Sequence, residues 1–392
     1  MKWGQWLDKI KYCAWAAAMK GLMILARLGP LDRNKVMAES YYGGGFSDNG
    51  GAVAQKLLEK RPGLDLVWAA RPENRDTVPA GVRYVEYRSP RYFWELATAA
   101  VWIDNARKRG REVAKRRGQY YVQCWHGTFP LKKVEGDAQD HLSRAYVRDA
   151  KWDAKATDLM LSGSDFFTGL CHRAFWYEGE VLACGTPRLD ELFRITEDRI
   201  GAVRERLGVP AGRRLALYAP TFRADYRTDC YGLDFRAVLD ALERQTGEKW
   251  TFLVRLHPNV ADKADLIPYS DDVRSATDYP DLYELIPAAD LVISDYSSLM
   301  FEAGLIKRPV FIFALDLADY MADRGTYMDI RDLPFPLAES GRELLENIRR
   351  FDRGAYEAAL ERFFRRVGSR ENGTASAAAA DRILGALDGK LK

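Results

Sequence analysis

The sequence predicts an α/β protein built on parallel sheets with helices on both faces. Three observations carry this. From residue 35 onward, strand-like runs alternate with helical ones. Several of the strand-like runs are short and continuously apolar, as strands buried on both faces must be. The composition, 47% hydrophobic and 29% charged, is that of an ordinary globular chain. At 392 residues the chain exceeds one typical domain by more than twofold, so two domains are expected.

Taken in order, the first thirty residues read as a helix from Trp3 to Leu28, stopped by Gly29-Pro30. Its apolar run, Tyr12 to Ala26, is cut by Lys20 and is too short to span a bilayer. It also lacks the small-x-small cleavage site of a secretory signal. At ~100° per residue, Lys2, Lys9, Lys20 and Arg27 share one stripe. Trp3, Trp6, Leu7, Ile10, Ile24 and Leu28 form its neighbour. That is the pattern of an amphipathic helix lying in the interface of an anionic membrane. A helix packed on its own domain is the alternative.

The segment Tyr92 to Ile103 is read as an apolar helix. The basic stretch after it, from Arg107 and Lys108 to Arg117, is read as a solvated helix face or as a surface for phosphates. The clearest strands are Leu64–Ala69, Tyr120–Cys124, Leu159–Ser162, Val181–Cys184, Leu215–Tyr218, Phe252–Leu256, Leu291–Ser294 and Val310–Phe313. A charged helical stretch, Glu197 to Leu207, runs into Gly208-Val209-Pro210-Ala211-Gly212 and marks the boundary. The expected division is an interfacial helix 1–30, a first domain 31–205, a second domain 206–370 and a closing helix 371–392. That helix, Ala-rich from Ala375 to Leu387, is a candidate to cross back to the first domain.

Several function classes are excluded by arithmetic. Fifty-nine basic side chains against 56 acidic ones leave only +3, so no nucleic-acid partner is expected. Five cysteines with no CxxC pair argue against a disulfide framework and a thiolate zinc site. The four histidines have no metal-ligand spacing, so neither a metal nor another cofactor is expected. There is no G-x-G-x-x-G and no Walker A motif. Gly43-Gly44-Gly45, followed by Phe46-Ser47-Asp48-Asn49, reads as a tight turn.

The chemistry is expected where the strands end. Their tips read Trp125-His126-Gly127-Thr128, Gly163-Ser164-Asp165, Gly185-Thr186-Pro187-Arg188, Ala219-Pro220-Thr221-Phe222-Arg223 and Asp295-Tyr296-Ser297-Ser298, with Arg255 and His257-Pro258 at a sixth. Open α/β sheets bind ligands beyond such carboxyl ends. Polar tips in both halves point to a cleft between the two domains. His126, at the end of a hydrophobic strand, suits a general base that deprotonates an alcohol. His257 suits a donor to a phosphate oxygen. Ser297 and Ser298, before a helix, read as an anion site, with Arg223 and Arg255 adding charge for a diphosphate. Glu302, four residues after Ser298, reads as a ribose ligand. Lys132 and Lys133 are placed to attract an anionic acceptor.

In this order the motifs resemble the CDP-glycerol glycerophosphotransferase family of teichoic-acid and capsule polymer synthesis. The matching residues are Trp125-His126-Gly127-Thr128 with Leu131-Lys132-Lys133, then Gly185-Thr186-Pro187-Arg188-Leu189-Asp190 and Tyr218-Ala219-Pro220-Thr221-Phe222-Arg223. Arg255-Leu256-His257-Pro258 and Ser294-Asp295-Tyr296-Ser297-Ser298 through Lys307-Arg308-Pro309 follow, with Glu371 to Ala375 matching the closing segment. The likeness spans about residues 35 to 388. Two departures stand out: Phe129 separates Thr128 from Pro130, and Glu302 stands where the family commonly has aspartate.

The resemblance implies a GT-B type α/β architecture of two facing Rossmann-like domains, the second holding the nucleotide. It implies attack by an acceptor hydroxyl on CDP-glycerol, with release of CMP and formation of a phosphodiester. His126 then corresponds to the base, and His257, which corresponds to a diphosphate ligand, is the second candidate catalytic residue. Arg223, Arg255, Ser297 and Ser298 correspond to diphosphate ligands, Asp295 and Glu302 to the cytidine side, and Gly127, Thr128, Lys132 and Lys133 to the acceptor side. The implied partners are CDP-glycerol, a lipid-linked (undecaprenyl-diphosphate) saccharide and an anionic membrane surface. The expected place is the cytoplasmic face of the cell membrane, held peripherally. With one two-domain unit, the chain resembles the shorter primase-type members. A polymerase, a CDP-ribitol user, a nucleotide-sugar transferase on the same fold and a non-catalytic membrane-binding module are the alternatives.

Overall fold

Among the described residues the strands of both sheets pair in parallel, most of them joined by crossovers that carry a helix back to the same end of the sheet. The computed structural model describes residues 3–127, 129–221, 223, 232–256, 260, 267–322 and 325–389. The elements begin with α1 (Trp3–Leu25), β1 (Asp32–Glu39), α2 (Asp48–Lys60), β2 (Asp65–Ala70), β3 (Arg83–Glu86), α3 (Pro90–Thr98), β4 (Ala99–Asp104) and β5 (Tyr120–Gln123). Next come α4 (Arg144–Ala156), β6 (Leu159–Ser162), α5 (Asp165–Arg173), β7 (Glu180–Ala183), α6 (Glu197–Arg206), β8 (Arg214–Tyr218), α7 (Phe235–Thr246), β9 (Trp250–Val254) and β10 (Val273–Ser275). The remainder are α8 (Leu282–Ala288), β11 (Leu291–Ser294), α9 (Leu299–Leu305), β12 (Val310–Phe313), α10 (Leu317–Ala322), β13 (Leu337–Ala338), α11 (Gly341–Arg349), α12 (Arg353–Arg366) and α13 (Ala375–Leu387). Serine and aspartate caps start many helices: Ser89, Ser143 and Ser164 accept from the amides of Tyr92, Tyr146 and Phe167, and Asp234 from that of Ala237.

The chain divides into two units. Unit 1 holds Met1–Thr128, Val134–Asp190 and Ser369–Lys392, and unit 2 holds Phe129–Lys133 and Glu191–Gly368. Unit 1 is built on a seven-stranded sheet of order β3-β2-β1-β4-β5-β6-β7. One face of it buries Val53, Leu57, Trp68, Ile103, Val122 and Ile383 beneath α2 and α13, and the other buries Met23, Phe93, Leu96, Trp102 and Tyr121 beneath α1 and α3. Unit 2 is built on a six-stranded sheet of order β10-β9-β8-β11-β12-β13, with Val238, Leu242, Phe252, Ile293, Phe311 and Leu344 in its core. In each sheet the strand order reverses once, between β1 and β4 and between β8 and β11. These are the topological switch points where α/β sheets open for ligands.

Four sequence expectations change here. The apolar segment Tyr92 to Ile103 is not one helix: α3 ends at Thr98 and β4 follows at once, with all six of its residues buried. A continuous apolar run fits a doubly buried strand as well as a buried helix, and the periodicity could not separate them. The basic stretch after it is not a helix face either. Arg107 is buried against Glu135 and Asp153 at 3.1 and 3.0 Å, and Lys108 against Glu39 and, at 2.9 Å, Asp104. The expected boundary after residue 205 moves to Asp190, since α6 joins unit 2 through Arg204 to Asp290 at 2.7 Å and Arg199 to Glu284. Residues 129–133, expected in the first domain, belong to unit 2. The closing helix α13 does return to unit 1, where Asp381 pairs with Lys60 of α2, and Asp388 and Arg61, which follow the two helices, pair with each other.

The N-terminal helix is packed along one side. Met23 and Ala26 are buried, Trp15 meets Phe93 edge-on at 5.5 Å, and Arg88 lies 4.3 Å over the Trp15 ring. Lys20 donates to the Gly110 carbonyl and Arg27 to those of Ala114 and Lys115. The other side leaves Trp6, Ile10, Ile24, Leu25 and Leu28 exposed, Leu28 by 89%. Among the described residues no helix is long and apolar enough to cross a membrane.

Candidate active site

In unit 1 the polar tips meet at the switch point. Register places Asp104 beside Gln123, so the residues after β4 and β5 emerge together. Trp125 holds φ 51 and Tyr41, after β1, φ 46. Non-glycine residues adopt that region only when their surroundings hold them there, and such positions concentrate at functional sites. Here the holding groups are explicit. Asn49 donates through Nδ2 to the carbonyls of Cys124 and Trp125, at 3.3 and 2.9 Å. Arg188 donates to the His126 carbonyl at 2.6 Å and to Asp48 at 2.7 Å. Asn105 closes the ring, giving Nδ2–H to Asp48 at 3.0 Å and accepting the Tyr41 amide at 2.8 Å. Burial opposes ionisation of Asp48, but the Arg188 charge holds its carboxyl below the usual range.

His126 sits inside this frame. Its Nδ1 lies 2.7 Å from the Asn105 carbonyl oxygen. A carbonyl only accepts, so Nδ1 carries the proton and Nε2 is left bare. The ring stacks on Trp125 at 4.2 Å and meets Tyr41 at 5.5 Å. Burial disfavours the imidazolium and lowers its pKa below 6.5, while the Asn105 carbonyl and Asp48 act against this. The result is a neutral, oriented imidazole with one free lone pair, which is what proton abstraction from a hydroxyl requires. Gly127 follows directly, and Thr128 lies outside the described residues.

In unit 2 the tips of β8 and β11 are tied together. Asp295 accepts from the Thr221 amide and hydroxyl at 2.9 and 3.0 Å and from the Tyr296 amide at 2.7 Å. Burial pushes its pKa up against the opposing charge of Arg223. Arg223 is engaged with protein rather than standing open for a diphosphate: it meets Asp295 at 2.9 Å and grips Asp316 through two bonds of 2.7 and 3.0 Å. Arg255, at the β9 tip, is different. It donates to the carbonyls of Tyr279 and Ala276, and no described carboxylate pairs with it. Burial lowers its pKa. Among the described residues, the charge of Asp281 acts on it without a direct ion pair.

Ser297 accepts from the Leu299 amide at 3.3 Å, and Ser298 Oγ approaches the buried Glu302 at 3.5 Å. Glu302 is therefore turned into the protein, not presented as an open ribose ligand. Lys132 lies 4.1 Å over the Tyr320 ring, and the Lys133 amide donates to Gly325 at 3.1 Å, both within unit 2. His257 lies outside the described residues. The structure thus brings His126 together with Asp48, Asn49, Asn105 and Arg188, and Arg223 and Asp295 together with Thr221 and Asp316. Asn105 went unseen because its strand reads as helix. Asp48 and Asn49 stood in plain view after the glycine triplet.

Two parallel sheets, each with polar groups gathered at its switch point, define a two-unit α/β protein with the strand-end arrangement that α/β sheets use for ligands. Residues 22–385 match the family described as CDP-glycerol:poly(glycerophosphate) glycerophosphotransferase, and the chain belongs to it. It is 30% identical over 360 residues to the teichoic acid glycerol-phosphate transferase of Staphylococcus aureus, covering 88% of this chain and 91% of that one. It is 29% identical over 362 residues to the teichoic acid poly(glycerol phosphate) polymerase of Staphylococcus epidermidis, covering 89% of this chain but only 50% of that protein, so the chain spans about half its length. A solved structure of the wall teichoic acid polymerase TagF superposes with a TM-score of 0.82 at 27% identity, covering 100% of both chains.

Proposed function

We propose that the protein transfers glycerol phosphate from CDP-glycerol to a hydroxyl of a lipid-linked saccharide, in teichoic-acid-like polymer synthesis, on a GT-B type architecture. The observation that carries this is the bare Nε2 of His126, fixed by the Asn105 carbonyl at 2.7 Å. In the reaction, the acceptor oxygen attacks the phosphorus that bears glycerol and its proton passes to His126 Nε2. The bond from that phosphorus to the bridging oxygen breaks, CMP leaves with the electron pair, and a phosphodiester remains. Arg255 and the hydroxyls of Ser297 and Ser298 would bind the diphosphate and offset the charge that grows on the leaving phosphate. His257 would join them as a donor, and Arg223 would act by holding Asp295 and Thr221 in place.

The membrane-facing surface would be the outer side of α1. Trp6, Ile10, Ile24, Leu25 and Leu28 are exposed there. Lys20, Arg27, Arg116, Arg117 and Lys155 line a groove of about 450 Å³ in the same unit. Apolar side chains in the interface with cations against anionic headgroups are the two terms of peripheral binding, at the cytoplasmic face. For the number of units added, the likeness to a teichoic acid glycerol-phosphate primase over 72% of this chain and 73% of that one favours a single addition. The likeness to poly(glycerol phosphate) polymerases over most of this chain favours repeated addition.

CMP release from CDP-glycerol with a synthetic lipid-diphosphate disaccharide tests the proposal, with CDP-ribitol and UDP-sugars run in parallel. Acceptor-dependent CMP from CDP-glycerol is the expected result, and product mass separates one unit from many. Release only from another donor would move the activity to that donor's class.

A further inference from the structure

Unit 1 contains a second concavity, of about 440 Å³, whose lining includes Arg107, Arg109, Arg111 and Arg148 with Asp149 as its one carboxylate. Arg107 is already neutralised by Glu135 and Asp153. The other three guanidinium groups are held loosely. Arg111 makes no ion pair among the described residues, Arg109 bonds the Tyr12 hydroxyl and reaches Glu112 only at 3.5 Å, and Arg148 reaches Asp149 only at 3.4 Å. The side chains of Arg109 and Arg148 are 47% and 49% exposed, so their forks remain open to a ligand. Planar guanidinium forks facing one hollow are the side chains suited to bidentate phosphate binding.

The hollow adjoins the candidate base. Tyr42 lines it, and its neighbour Tyr41 packs 5.5 Å from the His126 ring. Arg107 lines it too, lying 5.6 Å over the Trp125 ring that stacks on His126, and it follows by two residues the Asn105 carbonyl that fixes the imidazole. We propose that this arginine-lined hollow is an acceptor subsite, which binds the diphosphate of a phosphorylated saccharide and so directs its free hydroxyl to His126. This rests on the transfer reaction proposed above. It adds a reason for the enzyme to prefer a phosphorylated acceptor over the same saccharide without phosphate.

The test pairs binding with kinetics in the full-length Arg111→Ala/Arg148→Ala protein. Both side chains are exposed, so the variant should keep the wild-type melting temperature. Titration with inorganic pyrophosphate in saturating CDP, which fills the diphosphate site proposed for the donor, should show at least a tenfold loss of affinity in the variant; equal affinity overturns the subsite. Turnover is then compared between a disaccharide on a short prenyl diphosphate and its methyl glycoside. The wild type should show a KM at least tenfold lower for the diphosphate, and the variant should lose that preference. A preference that survives overturns the proposal. So does a loss seen only in binding to phosphatidylglycerol vesicles, which would assign the hollow to bulk lipid. The pyrophosphate arm uses no donor, so it judges the subsite even if CDP-glycerol proves not to be the substrate.

Discussion

The orientation of the His126 imidazole is set by a bond at Nδ1, which leaves Nε2 as the nitrogen the proposed reaction would use. With Nδ1–H held by the Asn105 carbonyl, only Nε2 can take a proton, and the ring cannot turn without losing that bond and the stack on Trp125. His126→Ala is therefore expected to lower turnover by ~10²-fold or more with little change in the KM for CDP-glycerol. Near-normal CMP release would remove it as the base. Because burial lowers its pKa, the neutral form persists below pH 6.5. The acid limb of kcat/KM should accordingly fall below that value in the wild type. A limb centred above pH 7 would mean another group controls the rate. At this scale the sequence was legible for His126, whose place at a strand end is a local property. It was misleading for Arg223, whose partner Asp316 lies 93 residues further on and carries no local signal. Charges invite ligands until the fold supplies their counter-charges.

Elements were legible where their pattern had one reading. Short apolar runs bounded by glycine and polar residues gave β5, β6, β8, β11 and β12 to within a residue or two, whereas β4 was lost because α3 runs into it with no break residue between them. The first helix had two readings, and the structure shows why: one side carries Met23 and Ala26 in the core while the opposite side carries Ile24, Leu25 and Leu28 outside it. Deleting the helix would therefore damage the fold. Ile24→Glu with Leu28→Glu keeps the packed side and should reduce co-sedimentation with anionic liposomes several-fold at unchanged melting temperature. Full retention would place the membrane contact elsewhere.

The junction before α13 makes a second test at this scale. Glu371 is buried, which pushes its pKa up to about 7, although it accepts from the Thr186 amide and hydroxyl at 2.8 and 2.7 Å. Unfolded, the same carboxyl titrates near 4.5. Between these values the folded state holds more protons, so stability falls as pH rises from about 4.5 to 7 and levels off above that, by on the order of 3 kcal/mol in all. Glu371→Gln should flatten that part of the pH profile of melting temperature. A slope that persists unchanged would assign it to other groups.

At the scale of the whole molecule, the units are not consecutive stretches of chain, and no composition shift in the sequence announces this. The chain enters unit 2 for residues 129–133, returns, leaves again after Asp190 and comes back at Ser369. Phe129 explains the first excursion. The residue that breaks the expected Thr-Pro order packs 4.6 Å from Phe301 and 5.5 Å from Phe363, anchoring the segment in unit 2. Asp190 explains the last, since it caps the start of α13 by accepting from the amides of Ala375 and Ser376 at 2.9 and 2.8 Å. Unit 1 is therefore completed only by the final residues, while the core of unit 2 is drawn from residues 216–351. A chain stopped at Gly368 would lose Ala379, Ala380, Ile383 and Leu387 from beneath the first sheet. At about 1.5–3 kcal/mol for each large side chain, Ile383 and Leu387 alone represent roughly 3–6 kcal/mol. Hydrogen exchange on that truncated protein should show β1 and β2 losing protection while β8, β9 and β11 retain it. Equal loss in both sheets would mean that the two units unfold as one, and that the returning helix stabilises the entire molecule.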